Sequence, residues 1–118
     1  MKKRVCIFAR VSTDQQSYSR QIADLTCYAE SRKLEVVETI TEKISGAKDN
    51  SQREGIIQLR ELAKQGEFDK ILITELSRLG RNAYQVSTLI HEFSGLGISI
   101  VVQSLGIETL SETGKANP

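Results

Sequence analysis

The sequence predicts an α/β domain of three layers, a mainly parallel central sheet with helices on both faces. Three observations carry that expectation. Short apolar or β-branched runs alternate with longer stretches whose apolar residues recur at helical spacing. The first run, VCIFARV (5–11), is apolar at both alternating sets of positions until Arg10, which suits a central strand covered on each side. A chain of 118 residues, 39% hydrophobic and 26% charged, has the composition of one ordinary globular domain. Strands alternating with helices then imply right-handed βαβ crossovers.

The elements follow in order. After the first strand, Val5 to Val11, Tyr18, Ile22, Leu25 and Ala29 recur at helical spacing and predict a helix from Ser17 to Lys33. Thr13 and Gln16 have capping-box spacing just upstream and allow an earlier start. Glu35 to Thr41 is rich in β-branched residues and reads as the second strand. The stretch EKISGAKDNSQRE (42–54) carries turn formers and reads as a mobile loop. It closes on Ser51-x-x-Glu54, a capping box for a helix with Ile56, Leu59 and Ala63 inward and Gly66 at its end. Lys70 to Leu76 is the third strand. Asn82 with Gln85 starts a third helix, Val86, Leu89, Ile90 and Phe93 form its stripe, and Gly95 and Gly97 close it. Ile98 to Val102 is the fourth strand, and the tail from Ser104 onward shows turn signals without a clear element.

Composition narrows the function. Sixteen basic and fifteen acidic residues leave a net charge of +1, so a nucleic-acid role needs cations gathered locally or affinity from another domain. No apolar run nears the roughly 20 residues that span a bilayer, and Val5–Ala9 is too short for a signal-peptide core. The expected compartment is the cytoplasm, with no membrane partner. Cys6 and Cys27 form no metal or redox motif and read as a core strand residue and a helix residue. His91, the single histidine, sits within a helical pattern and reads as structural. No carboxylate cluster suggests magnesium, so neither a metal nor a cofactor is expected.

The chemistry gathers at strand ends. In open α/β sheets, ligands bind beyond the carboxyl ends of strands where strand order reverses. Arg10 and Ser12 fall at such an end, and side-chain alternation puts them on one face. Arg78 and Arg81 follow the third strand, spaced for one side of a helical turn, and Arg53 lies beside the mobile loop. Four guanidinium groups around one hydroxyl suit a phosphate: each stays charged and grips oxygens with two donors. Phosphoryl transfer needs a nucleophile and charge stabilisation, which Ser12 and the arginines supply. Solvated surface arginines remain the competing reading of the same spacing. The chain has no P-loop, no dinucleotide fingerprint and no phosphatase-type Cys-x5-Arg loop.

Three motifs in order and register, ARVSTDQQ (9–16), EKISGAKDNSQREG (42–55) and SRLGRN (77–82), resemble the catalytic domain of serine site-specific recombinases, the resolvase/invertase family. The resemblance runs from about Val5 to Lys115. It implies that Ser12 attacks a DNA phosphodiester, holding the 5′ end as a phosphoserine while a 3′ hydroxyl leaves. It implies that Arg10, Arg53, Arg78 and Arg81 are active-site arginines and that Gln16 and Gln21 order the nucleophile and its loop. Glu42 falls where the family often has an acid. Religation then needs neither ATP nor metal, and exchange proceeds by subunit rotation in a synaptic tetramer. Ser77 departs from the pattern, standing where well-known members carry aspartate; if that carboxylate orients an arginine or shuttles a proton, this protein must manage without it or recruit Glu75 or Glu42, and the general acid and base stay unassigned.

The same resemblance makes residues 1–118 a catalytic domain cut before the family's long dimerisation helix and DNA-binding region. DNA is the expected partner, reached through that missing region and the active-site arginines. The whole protein is expected as homodimer and synaptic homotetramer, whereas the fragment can be monomeric. The residues leave the resolvase, invertase, integrase or transposase role open. Two rival readings are a catalytically silent oligomerisation or regulatory module and a phosphohydrolase using Ser12 on a small ester.

Overall fold

A computed structural model describes residues 3–11, 17–43, 54–76, 79–80 and 82–109. Among them, five strands and three helices follow in the order β1 (Arg4–Val11), α1 (Ser17–Ser31), β2 (Glu35–Lys43), α2 (Glu54–Lys64), β3 (Lys70–Ile73), α3 (Ala83–Gly95), β4 (Ser99–Val102) and β5 (Ile107–Glu108). The sheet runs β2-β1-β3-β4-β5, parallel except for the antiparallel β4–β5 pair.

This order explains the layers. From β1 the chain steps one way to β2, then crosses back to build β3 and β4 on the other side of β1. With right-handed crossovers, that reversal sends α1 to one face and α2 and α3 to the other. The two apolar clusters agree. Leu25 and Ala29 of α1 pack with Val5, Ile7, Leu72 and Val101. Residues of α2 and α3, such as Leu59 and Phe93, pack with Cys6, Phe8, Ile71, Ile73 and Ile100. Both faces of β1 are therefore dry: Val5 to Ala9 are all 0% exposed, as the unbroken apolar run requires.

One irregularity sets the β1–β2 register. Val5 pairs with Val36 but Cys6 pairs with Glu38, so Val37 is an extra residue on the edge strand. Without it, Ile40 would lie opposite Ala9 and turn toward α1. With it, Ile40 lies opposite Phe8 and enters the α2–α3 core, and Glu42 lies opposite Arg10.

All three helices end on the same pattern. In α2, Gly66 N–H donates to the Ala63 carbonyl and Glu67 N–H to Leu62 (both 3.1 Å), with Gly66 at φ +73°. In α3, Gly97 N–H bonds the Ser94 carbonyl and Ile98 N–H that of Phe93, with Gly97 at φ +78°. In α1 the residue in that role is Lys33, at φ +58°, bonding Glu30 while Leu34 N–H reaches Ala29. Lys33 therefore lies beyond the helix, which ends at Ser31 rather than at the predicted residue.

Other boundaries differ as well. β2 continues through Lys43, so Glu42 and Lys43 belong to a strand and not to the loop. β3 stops at Ile73, because the chain bends at Thr74 to deliver Leu79 to the core. β4 begins at Ser99, because Ile98 closes the end of α3. The tail holds a strand that local pattern missed. β5 pairs with β4 after a turn that needs Gly106 at φ +65°. Long-range polar contacts pin it: Glu108 takes Lys70 Nζ at 3.1 Å and the Ser99 hydroxyl at 2.8 Å. Residues 44–53 of the predicted loop and the proposed Thr13 and Ser51 caps lie outside the described residues. No helix among those described is long and apolar enough to cross a membrane.

Two outcomes are expected. Lys33→Gly removes a side chain from a left-handed position and should stabilise the domain by roughly 0.5–1 kcal/mol after the extra unfolded-state entropy of glycine is subtracted; denaturant midpoints measure this. Burial, with a smaller contribution from Glu38, pushes the Cys6 thiol up from 9.0 to about 12. The unfolded thiol ionises first, so the Cys6 contribution to stability is full below about pH 9 and is lost as pH rises toward about 12. A thiol reagent at pH 8 should accordingly modify exposed Cys27 at once and buried Cys6 only on unfolding.

Candidate active site

The candidate site lies at the carboxyl ends of β1 and β3, the two strands between which the order reverses. Here the sheet opens. β1 and β3 pair through Val5–Lys70, Cys6–Ile71 and Ile7–Leu72, but β1 and β2 stay paired as far as Val11–Lys43. The last residues of β1 therefore lack a strand on the β3 side, and their peptide groups need other partners.

Gln21 meets that need. Its buried carboxamide takes the Arg10 N–H at Oε1 (3.1 Å) and gives Nε2–H to the Arg10 carbonyl (3.0 Å). One side chain thus imitates a neighbouring peptide group, and the donor–acceptor pair fixes which way the amide is turned. Gln21 reaches this point because it lies one turn before Leu25, which is anchored on Ile7 and Leu72.

On the opposite face, Arg10 and Glu42 are direct neighbours in register. Glu42 is 6% exposed, and its Oε2 accepts the N–H of Gly55 at 2.8 Å in the first turn of α2. A carboxylate there satisfies one of the donors a helix start leaves free and complements the helix dipole. A Cβ on Gly55 would fall 2.9 Å from both Cδ and Oε2 of Glu42. The glycine is thus the space in which the carboxylate sits, and together they tie the end of β2 to the start of α2.

The third group is carried by the β3–α3 connection. Leu79 is fully buried in the α2–α3 core and bonds back to the Leu76 carbonyl at 3.0 Å. Gly80 abuts α3 so closely that a Cβ would fall 2.7 Å from that of Gln85. Asn82 caps α3 by accepting the Gln85 N–H at 2.9 Å, as its spacing predicts. Leu79 and Gly80, between the two arginines in sequence, are therefore the anchors of that connection.

Among the predicted site residues, the structure brings Arg10 and Gln21 together. Ser12, Gln16, Arg53, Arg78 and Arg81 lie outside the described residues, as does Ser77. Of the two acids offered in place of an aspartate at Ser77, Glu75 is exposed just beyond β3, and Glu42 is buried with one oxygen engaged by α2. The residue pattern did not point to Gly55, Thr74 or Gly80. A glycine in the first turn of a strong helix was the available signal for Gly55. Among the described residues, no group of three or more histidines, cysteines or acids is placed to hold a metal ion.

Similarity to known proteins places this fold among the catalytic domains of serine recombinases. The chain belongs to the family described as "Resolvase, N terminal domain", which it matches over residues 5–117. It is 37% identical over 108 residues to a resolvase/recombinase of Pseudomonas putida, covering 92% of this chain and 55% of the relative. It is 35% identical over 112 residues to the Tn3 resolvase of Escherichia coli, covering 95% and 56%. The chain thus spans little more than half the length of these relatives. Among solved structures, the N-terminal catalytic domain of TP901-1 integrase superposes with a TM-score of 0.83 at 30% identity, covering 95% of this chain and 85% of that one. The C-terminal catalytic domain of ISC1926 TnpA, an IS607-like serine recombinase, gives 0.76 at 35% identity, covering 85% and 70%.

Gly55→Ala tests the Glu42 seat. An ordinary helix glycine replaced by alanine gains up to about 1 kcal/mol, but here the new methyl must displace a buried carboxylate. The expected outcome is a loss of roughly 1–3 kcal/mol in denaturant unfolding. Combined with Glu42→Ala, the second change should cost much less than it does alone, a non-additivity expected of groups in direct contact.

Proposed function

We propose that this chain is the strand-cleaving domain of a site-specific DNA recombinase, with Ser12 as nucleophile. The observation that carries the reading is the seat of Arg10. It is held by Gln21 at the switch point of the sheet, two residues before a serine, in a family of serine recombinases. In the proposed reaction, the Ser12 hydroxyl gives up its proton and its oxygen forms a bond to the phosphorus of a DNA phosphodiester, the proton lost there balancing the one taken up by the leaving oxygen. The bond from phosphorus to the 3′ oxygen breaks, and that oxygen leaves as a 3′ hydroxyl after taking up a proton. The ester energy stays in the phosphoserine, so attack by a 3′ hydroxyl of a partner strand reverses the step without ATP.

Arg10, Arg53, Arg78 and Arg81 balance the charge that builds on the phosphoryl oxygens. Gln21 acts through Arg10, fixing the main chain that leads into Ser12, and Gln16 orders the same segment. The proposed partners are DNA and further copies of the protein, as a homodimer and a synaptic homotetramer in the cytoplasm. In the full-length protein, a dimerisation helix and a DNA-reading region follow this domain. Positioning contacts to phosphate and readout of sequence are divided between the two parts in this scheme.

The test is covalent trapping in cells expressing the full-length protein, wild type or Ser12→Ala. Complexes are captured under denaturing conditions, the attached ends sequenced and the modified residue identified. The expected adduct joins a 5′ phosphate to Ser12 and disappears in the alanine variant, whose circular dichroism matches the wild type. An adduct that survives in Ser12→Ala at the same residue number or elsewhere would sink the assignment.

A further inference from the structure

Four polar or charged side chains are buried among the described residues: Gln21, Glu42, Thr74 and Ser99. Gln21, Glu42 and Ser99 are engaged in the hydrogen bonds already described. Thr74 is not. It is 9% exposed, and its Oγ1 is buried with no hydrogen-bond partner among the described residues. A buried hydroxyl has given up water and received nothing for it, so each native case calls for a cause.

Its location supplies one. Thr74 is the first residue after β3. Leu72 packs toward α1 with Ile7 and Leu25, and Thr74 follows two residues nearer the carboxyl end, where the chain leaves the strand. Gln21, one turn before Leu25, acts at this level. The β1–β3 ladder has already ended at Ile7–Leu72, so Arg10 and Thr74 flank the opening between the strands. The Arg10 side is filled by the Gln21 carboxamide. On the other side stands the unused hydroxyl, carried on a fixed main chain whose carbonyl accepts Ser104 N–H at 3.0 Å.

We infer that Thr74 is a positioning residue for the strand cleavage proposed above, and the inference rests on that reading. When the site engages a DNA phosphate, the Thr74 hydroxyl hydrogen-bonds the Gln21 carboxamide. The chain Thr74–Gln21–Arg10 then joins the separated ends of β3 and β1 and holds Arg10 against the phosphate. Gln21 has the capacity, because its bonds to Arg10 use one donor and one lone pair of the two each that a carboxamide offers. Among the described residues, the resting arrangement leaves the hydroxyl without a partner, which is the cost of that second arrangement.

The experiment compares the full-length wild type with Thr74→Val, which keeps the shape without the hydroxyl, and Thr74→Ser, which keeps the hydroxyl. Melting is measured without DNA. Single-turnover adduct formation and duplex affinity are measured on a duplex carrying the sequence recovered from the trapped ends. Thr74→Val is expected to melt no lower than wild type, to bind the duplex equally well and to form the adduct roughly ten-fold more slowly. Thr74→Ser should return the rate to near wild type. An unchanged rate in Thr74→Val overturns the inference while leaving the recombinase reading intact. Melting several degrees lower overturns it too, because the hydroxyl then already has a partner at rest, such as a buried water. Equally slow Thr74→Ser places the effect on methyl packing and is a third refutation. If the wild type itself forms no adduct, the reading above falls and this one with it.

Discussion

The parting of β1 from β3 is the constraint on which the rest of this domain turns. Strand order reverses between them, and their ladder ends at Ile7–Leu72 although β1 continues to Val11. A parallel sheet buried on both faces cannot leave peptide groups without partners. The domain resolves this with a side chain in place of a strand: the Gln21 carboxamide binds both polar groups of the Arg10 main chain. An opening therefore exists at the sheet's edge without loss of order in the strand that borders it. The Arg10 main chain gains a fixed seat from the same two bonds, the kind of fixed support that the catalytic role proposed for its side chain requires.

A second fixed point lies on the other face. The Val37 bulge turns Ile40 into the core and sets Glu42 beside Arg10, and Glu42 reaches Gly55 across a space too small for any other residue type. The end of β2 and the start of α2 are thereby joined by one buried hydrogen bond of 2.8 Å. Its effect is mechanical as much as electrostatic. The long connection between these elements, whatever course it takes, begins and ends at positions fixed relative to Arg10. The β3–α3 connection is treated in the same way, with Leu79 sunk in the core and Gly80 against α3.

Much of this was legible in the sequence because local rules govern it. The apolar runs gave four strands, and the 3.6-residue stripes gave three helices. Asn82 before Gln85 and glycines at 66 and 97 gave a helix start and two helix ends, because capping and left-handed geometry depend on residues a few positions apart. Where those rules were broken, reading failed. Lys33 occupies a position glycine would prefer, so the end of α1 was placed two residues late. β5 has two residues and no pattern of its own, being held by Lys70 and Ser99 from elsewhere in the chain.

The sequence by itself determined the layers and the alternation of elements, since residue type and short-range spacing suffice for both. It also carried the family, through three motifs in register. Only the tertiary structure decided how Arg10 is held, that Glu42 belongs to a strand and anchors a helix, and that the Thr74 hydroxyl is buried with no partner among the described residues. Each of these depends on groups 11 or more positions apart meeting across a strand reversal or a bulge. A bulge moves every later residue to the other face, and a reversal brings together strands that are not consecutive in the chain. No periodicity records either event, so contact between such residues is a property of the packed fold alone.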